Sequence, residues 1–226
     1  MKATRFAAAF LIPVLLSAPL CLGAGLERYK DWNKSPEFLL LATEAEQKEW
    51  KKIATDEDAE RFVQLFWAKR DPDLKTAINE YEVAFDQRVR DADQGFAMPR
   101  LRGALTERGK AYVLIGVPKS VQRTPGTKKQ PAATATGEIA APNEPGTSIG
   151  QSIFTFVYEA AQLPDWTKTK ALTVDFVVEQ SSDYATGKSA GILKRLEGAA
   201  RTALVKNPDL KVPPHFRTAA ELEADR

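Results

Sequence analysis

Residues 171–180 read Ala-Leu-Thr-Val-Asp-Phe-Val-Val-Glu-Gln, the clearest alternation of apolar and polar side chains in this sequence. Every second residue from Leu172 to Val178 is apolar, and the residues between them are mostly polar. Because successive side chains of a β-strand point to opposite faces, the pattern predicts a strand with one buried face and one face in water. Such strands are typical of antiparallel sheets.

Two further strands are predicted upstream of this one. Residues 152–159 put three aromatic side chains on one face, and residues 110–116 contain the apolar run Ala-Tyr-Val-Leu-Ile between two glycines. Residues 119–150 are rich in Pro, Thr, Ala and Gly and contain no aromatic residue. We expect them to form a flexible insertion, because such a segment cannot bury enough apolar surface to offset its chain entropy.

The first hundred residues show helical spacing instead. Thr43 and Glu46 have the spacing of a capping box, which marks the start of a helix. A second helix is predicted to start at Thr55 and to end before Pro72, because the residue before proline is pushed out of helical geometry. A third is predicted over residues 76–94, where apolar residues recur at helical spacing.

The end of the chain completes a predicted α+β domain. Residues 190–205 have the spacing of a last helix, and residues 206–226 form a polar tail that contains prolines. Helices followed by strands are the order typical of α+β proteins. We therefore expect one domain over residues 25–205, in which an N-terminal helical layer packs on a small antiparallel sheet and a C-terminal helix closes the fold.

The N-terminus has the pattern of a secretion signal. Lys2 and Arg5 precede an apolar run over residues 6–22, which ends in small residues before the first acidic residue. This pattern predicts a cleavable signal peptide over residues 1–24 and a mature protein in the periplasm or outside the cell. The alternatives are a retained membrane anchor and lipidation at Cys21.

Removal of the signal would leave a neutral protein. The chain has 32 basic and 30 acidic residues, and the predicted signal carries two of the basic ones and no acidic one. A neutral chain has no global electrostatic attraction for nucleic acid, and we expect neither a nucleic-acid partner nor membrane insertion after cleavage. Cys21, the only cysteine, leaves with the signal, and the sequence has a single histidine. We predict no cofactor, no metal ligand and no catalytic residue.

Charged and capping residues gather where the predicted helices end and the first predicted strand begins. They are Arg70, Asp71, Asn79, Glu80, Arg88, Thr106, Glu107 and Arg108. These residues either line a polar cleft between helices and sheet, or form caps and ion pairs that lock the turns. The lock is the favoured hypothesis, because buried charges at such junctions are commonly paired for structure. It predicts that Arg70, Asp71, Glu80 and Arg88 hold the second and third helices together.

The same residues carry a resemblance to a known family. Residues 66–72 read Phe-Trp-Ala-Lys-Arg-Asp-Pro, and residues 103–109 read Gly-Ala-Leu-Thr-Glu-Arg-Gly. With Asn-Glu at residues 79–80 between them, this order resembles the GWxTD-domain family of exported bacterial proteins, over about residues 29 to 118 and more loosely to about 180. Ala104 stands where the family has tryptophan, and Glu107 where it has aspartate. The family has no established biochemical activity, so the resemblance implies a type of domain and not a reaction.

Two functions remain open at this point. The first is a non-enzymatic binding or scaffolding module of the cell envelope, with another envelope protein as its partner. The second is a hydrolase that acts on cell wall or another extracellular polymer through carboxylates. A deep acidic cleft with a carboxyl of raised pKa would favour the hydrolase, whereas a flat apolar patch would favour binding.

Overall fold

This computed structural model describes residues 25–126 and 151–211. They contain six α-helices and a four-stranded antiparallel sheet. The helices are α1 (Pro36–Leu41), α2 (Glu44–Trp50), α3 (Asp56–Ala68), α4 (Glu80–Phe96), α5 (Glu107–Ile115) and α6 (Gly187–Ala203). The strands are β1 (Ser120–Pro125), β2 (Ser152–Glu159), β3 (Ala171–Val178) and β4 (Asp183–Ala185). Within the described ranges, no helix is both long and apolar enough to cross a membrane.

The sheet confirms the predicted α+β class. Its strand order is β1-β2-β3-β4, and every neighbouring pair is antiparallel. β2 and β3 coincide with two of the predicted strands, and their register sets Phe156 opposite Val174 and Phe154 opposite Phe176. These apolar residues face the core, where Phe156, Val174 and Phe176 are buried.

The prediction of a strand over residues 110–116 is wrong, since these residues belong to α5. The Thr106 side chain caps the helix by accepting a hydrogen bond from the backbone N–H of Gly109 at 3.0 Å. A short apolar run that is buried on most sides has no periodicity that separates helix from strand. The helix ends at Gly116, whose φ of 111° is a conformation that favours glycine.

The prediction that residues 119–150 form one flexible insertion is also wrong at its start, because β1 occupies Ser120–Pro125. All six residues of β1 are exposed, and Val121 is the only large apolar one, so the strand lacks an apolar face that the sequence would reveal. Such a composition is common at the edge of a sheet. Residues 127–150 of the predicted insertion lie outside the described residues, as do the predicted signal over 1–24 and the tail beyond residue 211.

The helical layer begins as predicted. Thr43 and Glu46 form both hydrogen bonds of a capping box on α2, and Thr55 caps α3. The third predicted helix starts later than expected, at Glu80, because Asn79 is its cap. An aromatic cluster fills the space between α1, α2 and α3, with neighbouring ring centroids 5.0 to 6.4 Å apart; its members are Trp32, Phe38, Trp50, Phe62 and Phe66.

Three of the helices contact the sheet. α6 contacts both α1 and β3, and α5 contacts β4. Phe96 at the end of α4 contacts Phe156 of β2, with ring centroids 5.9 Å apart. The residues after α6 return to the helical layer, where the backbone N–H groups of Lys206 and Asn207 donate to the carbonyl oxygen of Lys69 at the end of α3.

Candidate functional site

The side chain of Arg70 lies at the end of α3 in a buried network of contacts, which we call the lock. Its guanidinium donates to both carboxylate oxygens of Glu46, at 2.9 and 2.8 Å, and to the backbone oxygens of Phe66 and Leu41, at 2.8 and 2.7 Å. It also lies 3.6 Å from the centroid of the Phe66 ring. Burial alone would raise the pKa of Glu46, but the hydrogen bonds and charge of Arg70 outweigh burial and lower it. The pair joins α1, α2 and α3.

The lock predicted between the second and third helices is wrong in its partners. Arg70, Asp71, Glu80 and Arg88 were together expected to hold α3 and α4, whereas among the described residues the only ion pair of Arg70 is with Glu46 of α2. Sequence reasoning assigned Glu46 to the capping box alone. The structure gives it both roles, because the backbone N–H and hydroxyl of Thr43 also donate to it, at 2.8 and 3.0 Å.

Asp71 and Asn79 occupy the turn that leads into α4. Asn79 accepts hydrogen bonds from the backbone N–H groups of Tyr81 and Glu82, and its amide donates to the carbonyl oxygen of Trp67 at 2.9 Å. Asp71 is fully buried, and one of its oxygens accepts from the backbone N–H of Asp73 at 2.9 Å. The other, Oδ2, has no hydrogen-bond partner among the described residues.

This orphaned oxygen belongs to a group of carboxylates that we call the acidic cluster, defined as Glu37, Asp71, Glu82 and Asp86. Glu82 and Asp86 lie one turn apart on α4, Glu37 lies on α1, and Asp71 follows α3. Glu82 is only partly exposed, and burial, assisted by the charges of the other three members, raises its pKa to about 7. Burial also raises the pKa values of Asp71 and Asp86.

The acidic cluster has a cation nearby, Arg90, which lies one turn after Asp86 on α4 and whose charge opposes the rise in the pKa of Asp86. Among the described residues, none of its four carboxylates lies within 4.0 Å of a lysine or arginine nitrogen. Glu80 is exposed in the first turn of α4 and adds further negative charge, since it raises the pKa of Asp71. Like charges held together in this way oppose folding. The arrangement is therefore maintained at a cost in stability.

That cost is measurable with Glu82→Gln. The pKa of Glu82 is about 7 in the folded protein and near 4.5 in the unfolded chain, so the folded state binds the proton more tightly. The contribution of Glu82 to the free energy of unfolding therefore falls as the pH rises from 4.5 to 7. We expect Glu82→Gln to raise the free energy of unfolding by roughly 2 kcal/mol at pH 8, after allowance for solvent screening, and to change it little near pH 4. Urea denaturation at both pH values measures this, with Glu57→Gln, on the exposed first turn of α3, as the control. Equal effects of the two substitutions at pH 8 would contradict the assignment.

Thr106, Glu107 and Arg108 lie together at the start of α5, where this helix meets β4. We call this place the second junction. The hydroxyl of Thr106 donates to the carbonyl oxygen of Gly103 at 2.8 Å, and Glu107 pairs with Lys110 at 2.7 Å. Arg108 pairs with the buried Asp183 of β4, with 2.6 Å between Nε and Oδ2. This junction therefore contains a helix cap at Thr106 and an ion pair at Arg108.

A recess of about 360 Å³ opens beside the second junction. Charged side chains of both signs line it, and they already neutralise one another: Lys110 lies 2.7 Å from Glu107 and 3.8 Å from Glu197. The guanidinium of Arg108, next to the recess, lies over the ring of Phe154 at 4.7 Å. The recess therefore offers less unbalanced charge to a ligand than the acidic cluster does.

The eight residues singled out in the sequence do not form one site. The structure divides them between the lock at Arg70, the turn at Asp71, Asn79 and Glu80, and the junction at Thr106, Glu107 and Arg108. Arg88 joins none of these groups by an ion pair within the described residues. Sequence reasoning missed the other three members of the acidic cluster, although acidic residues at positions i and i+4 of a predicted helix were visible.

No family model, curated protein or solved structure matches this chain. Among residues 25–126 and 151–211, no three or more His, Cys, Asp or Glu side chains are grouped so that they could hold a metal ion.

Proposed function

We propose that this chain is an exported protein of the bacterial envelope that binds a basic segment of another envelope protein at the acidic cluster. Export is supported by the signal-like residues 1–24. Membership of the GWxTD-domain family is part of the same proposal, and it rests on the motifs at residues 66–72 and 103–109. One observation carries the binding proposal: the charges of Glu37, Asp71 and Asp86 all act on Glu82, and none of these four carboxylates forms an ion pair within the described residues.

Charge complementarity identifies the occupant. Lysine or arginine side chains of a partner would neutralise the partly exposed carboxylates of Glu37, Glu82 and Asp86. Apolar surface lies beside the charges, since Val83 follows Glu82 on α4 and is 54% exposed, and Ile78 just before α4 is 47% exposed. Acidic and apolar groups side by side suit an amphipathic basic segment.

The test uses decalysine labelled at its N-terminus with tetramethylrhodamine, a dye that does not titrate between pH 6 and pH 8, and follows binding by anisotropy at low ionic strength and pH 8. Glu82→Gln/Asp86→Asn is expected to weaken binding about tenfold, because each removed charge contributes on the order of 0.5–1 kcal/mol. The control, Glu49→Gln/Glu57→Gln, removes two exposed charges from α2 and α3 and should bind as the wild type does. Equal loss in both double variants would mean that only net charge matters, and the assigned site would be wrong.

A second function is favoured by the pKa of Glu82. A carboxyl with a pKa of about 7 is suited to donate a proton at neutral pH, and the carboxylate of Asp86 lies one turn away on the same helix. A carboxyl of raised pKa is one of the two features that favour a carboxylate-dependent hydrolase, the other being a deep acidic cleft. Release of dye from labelled peptidoglycan by the wild type, lost in Glu82→Gln and retained in Glu57→Gln, would establish the hydrolase and displace the binding proposal.

A further inference from the structure

A recess with a volume of about 640 Å³ opens between α2 and α3. It is larger than the recess beside the second junction. The apolar side chains that line it are Ile53, Phe62 and Leu65. Ile53 and Leu65 are partly exposed, so they offer apolar surface to a segment that docks there. We call this recess the α2–α3 groove.

Phe62 forms a preformed wall of the α2–α3 groove. It belongs to the aromatic cluster, and its ring centroid lies 5.4 Å from that of Trp50 and 5.7 Å from that of Trp32. Only 7% of Phe62 is exposed, because its neighbours cover the rest. A wall that is already packed needs no reordering when a segment docks on it, and this lowers the cost of binding.

The backbone after α6 leads directly into the α2–α3 groove. The side-chain amide of Asn207 fixes it to the end of α3, where it donates to the carbonyl oxygens of Ala68, at 3.1 Å, and Asp71, at 2.8 Å. Four residues later, Lys211 lines the groove and is the last residue that the structure describes. Residue 212 therefore begins at the groove, since consecutive Cα atoms are about 3.8 Å apart.

The sequence that follows Lys211 suits an apolar groove. Residues 212–216 read Val-Pro-Pro-His-Phe. Proline has a fixed φ and loses little conformational freedom on binding, and proline-rich segments commonly dock on grooves lined by aromatic residues. Phe216 lies five residues beyond Lys211, so it can reach up to about 16 Å from it. A compact recess of this volume is about 9 Å across, which is well within that reach.

The charges at the α2–α3 groove also match this segment. Glu49 and Asp58 line the groove, and neither forms an ion pair within the described residues. Arg217 follows Phe216 directly and brings a positive charge to these acids. Arg61, which also lines the groove, suits the acidic residue Glu221 further along the chain.

We propose that residues 212–216 of the same chain dock in the α2–α3 groove, with the side chain of Phe216 against Ile53, Phe62 and Leu65. The tether at Lys211 gives the segment an effective concentration on the order of millimolar, so modest apolar contact keeps it bound. The docked segment joins the C-terminal part of the chain to α2 and α3. The groove contains no member of the acidic cluster, and this proposal does not depend on the proposed function.

The experiment is photo-crosslinking of the purified full chain with Phe216→p-benzoylphenylalanine, followed by mapping of the linked peptides by mass spectrometry. We expect links within one chain to residues 49–65. Leu65→Asn should lower their yield several-fold, and Leu39→Asn should leave it unchanged, because Leu39 is 42% exposed on α1 and lies outside the groove. Links to residues 49–65 of a second chain, links spread over the surface, or the same yield in Leu65→Asn would overturn the proposal.

Thermal melting provides a second measurement that leaves every described residue intact. Phe216→Ser should lower the melting temperature by about 2–4 °C, since it removes the apolar contact that holds the docked segment. Leu222→Ser is the matched control, because it removes an apolar side chain from the same end of the chain but outside residues 212–216. Equal melting temperatures of Phe216→Ser and Leu222→Ser would contradict docking.

Discussion

Gly109→Ala is expected to lower the free energy of unfolding by about 3 kcal/mol or more, which is at the upper end for overpacked sites. A Cβ atom at this position would lie 1.7 Å from the carbonyl oxygen of Gly103 and 2.7 Å from its carbonyl carbon. Gly103 cannot shift away from residue 109, because its own backbone is packed closely on α4. A Cβ built at Gly103 would lie 1.9 Å from the carbonyl oxygen of Ala92. Both obstacles are backbone atoms, so no side chain can rotate to relieve the clash.

Gly198→Ala in the middle of α6 is the matched control. Nothing lies within 4 Å of a Cβ at Gly198, so alanine should stabilise this helix by about 0.5–1 kcal/mol. Urea denaturation of both variants measures the difference. A Gly109→Ala protein as stable as Gly198→Ala would mean that α5 does not pack on the turn at residues 103–105 as described.

Arg70→Met carries the second large effect, a loss of about 3–5 kcal/mol, because it leaves the Glu46 carboxylate buried and unpaired. Glu46→Gln should cost a similar amount, since it leaves the guanidinium without its counter-charge and the side chain of Arg70 is fully buried. The double variant should cost less than the sum of the two single ones, because the second substitution removes a charge that has already lost its partner.

The ion pair of Arg28 and Glu60 provides the comparison. Its side chains are 59% and 46% exposed, and its shortest distance is 2.5 Å. Exposed pairs contribute little because water screens them, so Arg28→Met should change stability far less than Arg70→Met. If urea denaturation shows additive effects of Arg70→Met and Glu46→Gln, the two side chains do not act as a pair.

The sequence predicted the elements whose apolar residues follow one period. β2 and β3 show alternation, and α2, α3 and α6 show helical spacing, so these elements were identified correctly. α5 and β1 were not. α5 is apolar on most sides, with Ala111 and residues 113–115 all buried, and β1 is exposed throughout. Apolar residues recur at a regular spacing only when one face of an element is buried and the other is in water. Neither α5 nor β1 meets that condition.

Only part of the candidate site was predicted, because only some of its residues have a local signature in the sequence. Asp71 and Asn79 were found because caps and helix ends have local signatures. The partner of Arg70 lies 24 residues away in the chain, and that of Arg108 lies 75 residues away. Such pairs depend on how the helices and the sheet are packed, which local spacing does not encode. The raised pKa of Glu82 depends in the same way on Glu37 and Asp71, which lie on other elements.

The most direct test of the acidic cluster as a binding site is the pH dependence of decalysine binding. The probe keeps its charge between pH 6 and pH 8, whereas Glu82, with a pKa of about 7, changes from mostly neutral to mostly charged. The wild type should therefore bind decalysine several-fold more tightly at pH 8 than at pH 6, and Glu82→Gln should bind it equally at both. Equal affinity of the wild type at the two pH values, or the same increase in Glu82→Gln, would contradict the account.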